Sequence, residues 1–158
     1  VRAFTTDVGV DIVSYGATKN GGMGAEAVVV LNPSLHGELK FLRKQSAQLA
    51  SKMRFLAAQI LALGEEDRWL ANAQHANALA QRLADGVREV AGVRVTQAVE
   101  GSAVFAVLPR AVTERLQERF HFYVWDEATG EVRWMTSWAH SEGDVEEFVA
   151  AIRAEMGR

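Results

Sequence analysis

Hydrophobic and polar positions change their period several times along the chain, and each change predicts an element. Val8-Gly9-Val10-Asp11-Ile12-Val13 alternates apolar with polar and then turns apolar, as a short strand entering a sheet does. After a glycine-rich stretch, Ala27-Val28-Val29-Val30-Leu31 forms a continuous, mostly β-branched run that predicts a strand buried on both faces. Asn32-Pro33-Ser34 stops it, because proline cannot continue a central strand. From Gly37 to Leu63 the period becomes helical. Leu42, Leu49, Met53, Leu56, Ile60 and Leu63 fall on one stripe, and Gly64 is placed as a C-cap. A second stripe, Trp69, Ala73, Ala76, Ala80, Leu83, Val87 and Val90, predicts another helix, closed by Gly92. Its alanines predict close approach to a neighbouring helix or sheet.

The remainder reads as a strand from Val93, a strand over Ala103 to Leu108, a helix over Ala111 to Phe120 and a strand over Phe122 to Trp125. A turn at Ala128-Thr129-Gly130 leads into a strand over Val132 to Ser137. Trp134 and Trp138, four apart, are expected on one face of that strand as packing residues, with Arg133 on the other. Ser141-Glu142-Gly143-Asp144 has the spacing of a capping box and opens a last helix carrying Val145, Phe148, Val149, Ile152 and Met156. Composition shifts at Gly64-Glu65-Glu66-Asp67. The predicted boundary lies there, between residues 1–64 and a smaller α+β domain over 65–158.

Composition narrows the function. A chain of 158 residues has room for a real core, and 49% hydrophobic with 23% charged residues is ordinary for a globular protein. A net charge of −3 argues against a general nucleic-acid binder or a binder of anionic membranes. With no cysteine there is neither a disulfide framework nor a thiolate metal site. No apolar run reaches the roughly 18 residues of a membrane span. The four histidines lack ligand-like spacing, so no metal site is expected. His140, following the Trp138 segment, is a candidate for a site mouth, whereas His36, His75 and His121 read as surface or loop residues. Arg82, Asp85, Arg88 and Glu89 read as a solvated helix face.

The stretch Ser14 to Gly24 carries the candidate chemistry. Lys19 stands there among glycines, between two apolar strands, while Lys40, Lys44 and Lys52 share one polar, helix-like segment. Partial desolvation between strands would favour a neutral amine with a free lone pair, which is what a Schiff-base lysine needs. A glycine hairpin loop with an exposed lysine accounts for the spacing equally well. A phosphate-binding P-loop is excluded because Lys19 precedes Asn20 and a strand follows. Gly22-Met23-Gly24-Ala25-Glu26-Ala27 formally fits a dinucleotide turn, yet it too leads into a strand instead of a helix.

Ser14-Tyr15-Gly16-Ala17-Thr18-Lys19-Asn20-Gly21, followed by Glu26-Ala27-Val28, resembles the lysine segment of the threonine aldolase and β-eliminating lyase family. Two later segments agree in order. Lys52-Met53-Arg54-Phe55 with Ala58-Gln59 is similar to the family's helix after the lysine strand. Arg133-Trp134-Met135-Thr136-Ser137-Trp138-Ala139 resembles its late arginine strand, in the form found in the phenylserine-aldolase-like branch.

The resemblance implies an α/β fold, the C-terminal half of a fold-type-I pyridoxal-phosphate enzyme. That half comprises the end of the large-domain sheet, a long connecting helix and a small α+β domain. It implies a carbon–carbon lyase that cleaves a β-hydroxy-α-amino acid, of threonine or phenylserine type, to glycine and an aldehyde. Lys19 would carry pyridoxal 5′-phosphate through a Schiff base. Thr18 would place a hydroxyl near the cofactor or its phosphate, or serve only as a strand-end turn residue. Arg54 would reach a cofactor phosphate, in its own or a neighbouring subunit, or make a helix-surface ion pair. Arg133 would clamp the substrate carboxylate with its planar fork. The implied setting is a cytoplasmic homodimer or homotetramer. The acid for the ring nitrogen, the stacking residue and the phosphate donors are expected in an N-terminal half ahead of the lysine strand. Another fold-type-I lyase acting on amino acids, or a non-catalytic packing and oligomerisation module, is the alternative.

Overall fold

Two apolar strands flank the glycine-rich stretch, and they pair with each other. In the computed structural model, which describes residues 1–158, β1 (Ile12–Gly16) and β2 (Glu26–Val30) are antiparallel, with Ile12 opposite Val30 and Gly16 opposite Glu26. The first strand begins later than its alternation suggests, because Thr6–Val8 coil into a 3-10 turn that ends at Gly9 with φ 81°. Burial of the valine run on both faces is not found, since Val28 is 70% and Val29 41% exposed. This sheet has two strands, and the buried cluster beside it, Ala17, Ala25 and Leu63, sits at the loop end of the ribbon.

The expected helix from Gly37 to Leu63 is two helices, α1 (Leu39–Gln45) and α2 (Met53–Gly64). The break is a Schellman motif built on alanine. Gln48 N–H donates to the Arg43 carbonyl, Ala47 N–H to the Lys44 carbonyl, and Ala47 takes the left-handed conformation at φ 56°. Gly64 stays right-handed inside α2, and the turn beyond it places Glu66 and Asp67 at φ 53° and 54° instead.

The chain divides into two compact units, Val1–Trp69 and Leu70–Arg158, so the division falls in the first turn of α3 (Arg68–Arg88). In the second unit β3 (Arg94–Val95), β4 (Ala103–Val107), β5 (Tyr123–Asp126) and β6 (Glu131–Met135) form an antiparallel sheet ordered β3-β4-β6-β5. The helices α4 (Arg110–Gln117) and α5 (Glu142–Met156) complete the unit.

Period-two alternation divides the sheet residues between a buried and an open face. Val104, Ala106, Val132 and Trp134 join one core with Leu79, Leu83 and Val87 of α3, Leu116 of α4 and Ile152 of α5. Phe148 meets Trp134 edge-on at 5.3 Å and Phe120 at 4.9 Å, which fixes α5 over the sheet. Arg133 and Trp134 lie on opposite faces, as alternation requires. Trp138 does not share the Trp134 face: β6 ends at Met135, and Trp138 is exposed in the turn that follows.

The small residues of α3 do mark a close approach. A Cβ added at Gly86 would lie 2.9 Å from Val149 Cγ2 of α5. Alanine normally favours a helix over glycine by about 1 kcal/mol. Here the stiff valine opposes it. Gly86→Ala is therefore expected to lower stability, by about 1 kcal/mol in urea unfolding; equal or greater stability would contradict the packing.

The capping box of α5 is formed: Asp144 N–H donates to Ser141 Oγ, and the Ser141 amide and hydroxyl both donate to the Asp144 carboxylate. Those two donors, the amide first, hold the Asp144 carboxyl below the ordinary aspartate range. A lowered folded value adds stability above the ordinary value, and that stability is lost as pH falls through the lowered one. Unfolding of the parent and Asp144→Asn compared over roughly pH 2 to 6 should show the parent's advantage shrinking toward the acid end. A gap that widens in acid would contradict it.

Candidate active site

The Lys19 loop is closed by a single buried residue. Ala17 is fully buried, and its N–H donates to the Ala25 carbonyl across the mouth of the loop at 3.0 Å. Its carbonyl in turn accepts the amides of Asn20 at 3.0 Å and Gly22 at 2.8 Å. These bonds wind Thr18–Asn20 into a 3-10 turn that ends at Gly21 with φ 99°, a conformation glycine tolerates. From α2, Gln59 Oε1 accepts the amides of Met23 at 2.8 Å and Gly24 at 3.1 Å, tying down the far side of the loop. Asn20 anchors it again, through its side-chain amide on the Trp69 carbonyl at 2.9 Å.

Lys19 is displayed on this frame. The expected desolvation is absent, because Lys19 is exposed at the turn, where no strand covers it. Beside it, Thr18 donates its hydroxyl to Glu26 Oε1 at 2.6 Å, so the hydroxyl proton is committed within the loop. Glu26 lies close over Gly16, where an added Cβ would meet its Oε2 at 2.5 Å. Arg54 is exposed on α2 with its guanidinium 4.7 Å from the Phe55 ring centroid, and it makes no ion pair within the chain.

Arg133 sits in the middle of the open face of the second unit's sheet. Phe105 on β4 and Tyr123 on β5 are its cross-strand partners. The pairing of β5 with β6 slips between Val124 and Asp126, leaving Trp125 as a bulge residue. The Trp125 ring centroid lies 4.3 Å from Arg133 Cζ and meets Phe105 edge-on at 5.6 Å. Arg133 Nε is buried without a hydrogen-bond partner, and the guanidinium has no acidic partner in the chain. Arg115, also partly buried, differs in this respect: its Nε reaches Glu155 at 2.6 Å. A part-buried guanidinium with no counter-ion is suited to receive an anion from outside the chain.

Other polar residues singled out by sequence have partners within the chain. His140 Nδ1 accepts the Ser137 amide at 3.0 Å and closes the turn after β6, and His75 Nε2 lies 2.7 Å from the His140 carbonyl. Arg82 pairs with Glu142 and Glu146, and Arg88 with Asp85. Trp125 and Glu26 were not singled out as site residues by sequence. Tyr123 and Trp125, alternating along one strand, were the available signal for the first, but the bulge that sets the second ring over Arg133 leaves no mark in the pattern.

The chain is similar to known proteins both in sequence and in fold. The family model for beta-eliminating lyases matches residues 2–109. Proteins named low specificity L-threonine aldolase, from a Pseudomonas species and from Pseudomonas aeruginosa, are 39% and 40% identical over 96% and 94% of this chain. The chain spans 44% and 43% of their lengths. A solved threonine aldolase from Leishmania major superposes with a TM-score of 0.85 at 28% identity, over 93% of this chain and 44% of that one. At 18% identity and a TM-score of 0.54, an α-aminoadipate aminotransferase from Thermus thermophilus shares the fold alone. The fold is thus the α/β fold of fold-type-I enzymes.

The closure on Ala17 can be tested by volume. A Cβ at Gly22 would lie 2.7 Å from Ala17 Cβ and 2.9 Å from its carbonyl carbon and oxygen, whereas a Cβ at Gly24 meets nothing within 4 Å. Gly22→Ala is expected to cost about 1–3 kcal/mol in chemical denaturation and to loosen amide protection across the loop. Gly24→Ala should stay within about 0.5 kcal/mol of the parent. Equal effects at the two positions would overturn the account.

Proposed function

The chain belongs to the beta-eliminating lyase family, and from that membership we propose that it is part of a pyridoxal-phosphate-dependent aldolase. The reaction is cleavage of a β-hydroxy-α-amino acid to glycine and an aldehyde. The observation that carries the reading is the presentation of Lys19. Its amine makes no ion pair or hydrogen bond within the chain, and it stands on a turn that three backbone bonds at Ala17 hold in place. An exposed, unpaired amine on a rigid frame fits the attachment point of pyridoxal 5′-phosphate. When bound, the cofactor supplies the electron sink for breaking the Cα–Cβ bond.

The residues of the chain supply position and proton handling. Lys19 Nζ is the attachment point and, when free, carries to Cα the proton that completes glycine, matching the proton the β-hydroxyl gives up as the aldehyde forms. Arg133 holds the substrate carboxylate, and fixing the carboxylate selects which bond at Cα can break. Thr18 becomes a donor to the cofactor if its hydroxyl turns its hydrogen bond from Glu26 to a phosphate oxygen. Arg54, free of any acidic partner, is assigned to a cofactor phosphate. The ring-nitrogen acid and the stacking residue are assigned to polypeptide outside these 158 residues, in keeping with a match to less than half of each curated relative. A homodimer or homotetramer in the cytoplasm belongs to the same reading. On the Arg133 face, Tyr123 and Met135 are each at least half exposed. That apolar wall favours a hydroxy-amino acid with a bulky, phenylserine-type substituent.

The experiment is borohydride reduction of the cofactor-loaded protein that carries this chain, followed by peptide mass mapping. The cofactor is expected on Lys19; finding it on Lys40, Lys44 or Lys52 would sink the assignment. Lys19→Ala should remove the visible band of lysine-bound cofactor and slow cleavage by on the order of 10²- to 10⁴-fold. Arg133→Ala should weaken binding of glycine and hydroxy-amino acids about 10- to 100-fold while leaving that band in place.

A further inference from the structure

The Arg133 guanidinium is held by an aromatic face where an acid would ordinarily be. In the second unit the ion-paired arginines, Arg82, Arg88, Arg110, Arg115, Arg119 and Arg158, each have a carboxylate within 3.3 Å. Arg133 instead has Trp125, with Cζ 4.3 Å from the ring centroid. The indole reaches it from the neighbouring edge strand β5 and is steadied by its edge-to-face contact, across β6, with Phe105 on β4. The register slip at Val124/Asp126 gives Trp125 that reach, because a bulge residue is freed from direct pairing and can be re-aimed.

We propose that Trp125 is a positioning residue: its ring packs against the Arg133 guanidinium, helps keep the buried Nε from solvent, and leaves the two terminal nitrogens as the edge that meets the substrate carboxylate. This rests on the carboxylate role proposed above for Arg133. An acid at the same place would neutralise the guanidinium and compete with the substrate for its donors. An aromatic face orients the cation through its quadrupole and leaves every outward N–H unspent. Nε is already sealed and without a partner, so a side-on grip through Nε and one terminal nitrogen is closed off. The geometry points to an end-on grip by the terminal pair. Because the indole acts through Arg133, its removal acts on substrate binding and spares the chemical step.

Trp125 is 53% exposed, so its replacement leaves the core of the sheet untouched. The test measures glycine binding and threonine cleavage in the cofactor-loaded protein that carries this chain, together with solvent exchange of the Arg133 Nε proton by NMR in the same protein. Trp125→Ala is expected to weaken glycine binding and raise KM about tenfold, with kcat within about twofold of the parent. Exchange at Nε should quicken at least about tenfold in that variant. Trp125→Phe, which keeps a ring under the cation, should restore binding to within about threefold and keep the proton sealed. In an Arg133→Ala background, Trp125→Ala should add nothing further. Unchanged glycine binding in Trp125→Ala overturns the positioning role whatever the exchange rate does, and so does a full additional loss in the Arg133→Ala background. If Arg133→Ala alone binds glycine as the parent does, the carboxylate role itself falls and takes this inference with it. Weakened binding in Arg133→Ala beside unchanged binding in Trp125→Ala removes only the positioning role.

Discussion

The first unit depends on the burial of Ala17. A loop with three glycines in nine residues would ordinarily sample many conformations, and ordering glycine costs more backbone entropy than ordering any other residue. Here one small, fully buried residue spends its amide on Ala25 and its carbonyl on Asn20 and Gly22. The space left by the missing Cβ at Gly22 lets the chain pass directly against the Ala17 backbone. Ala17 thus does for the loop what a core residue does for a helix: it satisfies polar groups while excluding water. Lys19 is two residues away, in the first turn beyond this hub. A hydrogen-bonded frame under an exposed amine suits the role proposed for Lys19, because the frame fixes where the amine stands while leaving it free to take a partner.

The second unit achieves the same division of labour with a sheet. Helices α3, α4 and α5 cover one face with Val104, Val132 and Trp134 beneath them. The opposite face keeps Arg133 among aromatic rings. Alternation along β6 therefore assigns successive residues to different tasks, Trp134 to the core and Arg133 to the open face. Two part-buried arginines show how that face differs from the rest of the unit. Arg115 between α4 and α5 has its charge answered by Glu155 and serves packing. Arg133 has its charge unanswered, and burying an unanswered charge costs free energy unless a counter-ion arrives. Its aromatic neighbours lower that cost without removing the charge.

Much of this was legible in the sequence wherever the signal was local. The capping box at Ser141 and Asp144, the turn at Gly130 and the stripe of α3 depend on residues a few positions apart, and the structure contains all of them. The break between α1 and α2 was not legible, because an alanine takes the left-handed position where a glycine would have announced it, and the apolar stripe runs on through the break. Burial was misread in two places for one reason. The valine run of β2 and the setting of Lys19 were judged by their neighbours in sequence, while burial is decided by what lies across the sheet. The family resemblance rests on residue identities near Lys19, Arg54 and Arg133, which pattern alone would have left as a loop lysine and two surface arginines.

The candidate cations also differ in how their freedom is maintained, and this bears on how such a site is built. Lys19 is free because its turn holds it out into solvent. Arg54 is free on the surface of α2, with only the Phe55 ring beside it. Arg133 is free despite partial burial, which is the harder condition, since a desolvated charge draws any acid within reach. Glu131 is the acid nearest to it in β6 sequence, yet two positions along a strand put both side chains on the same face. The Thr96 hydroxyl donates to Glu131 and so gives its carboxylate a partner other than Arg133. An aromatic cover over the cation and a hydroxyl partner for the nearby acid therefore act in one direction. Together they keep a strong cation unpaired on a surface where pairing would otherwise be expected, and an unpaired cation is what the carboxylate role proposed for Arg133 requires.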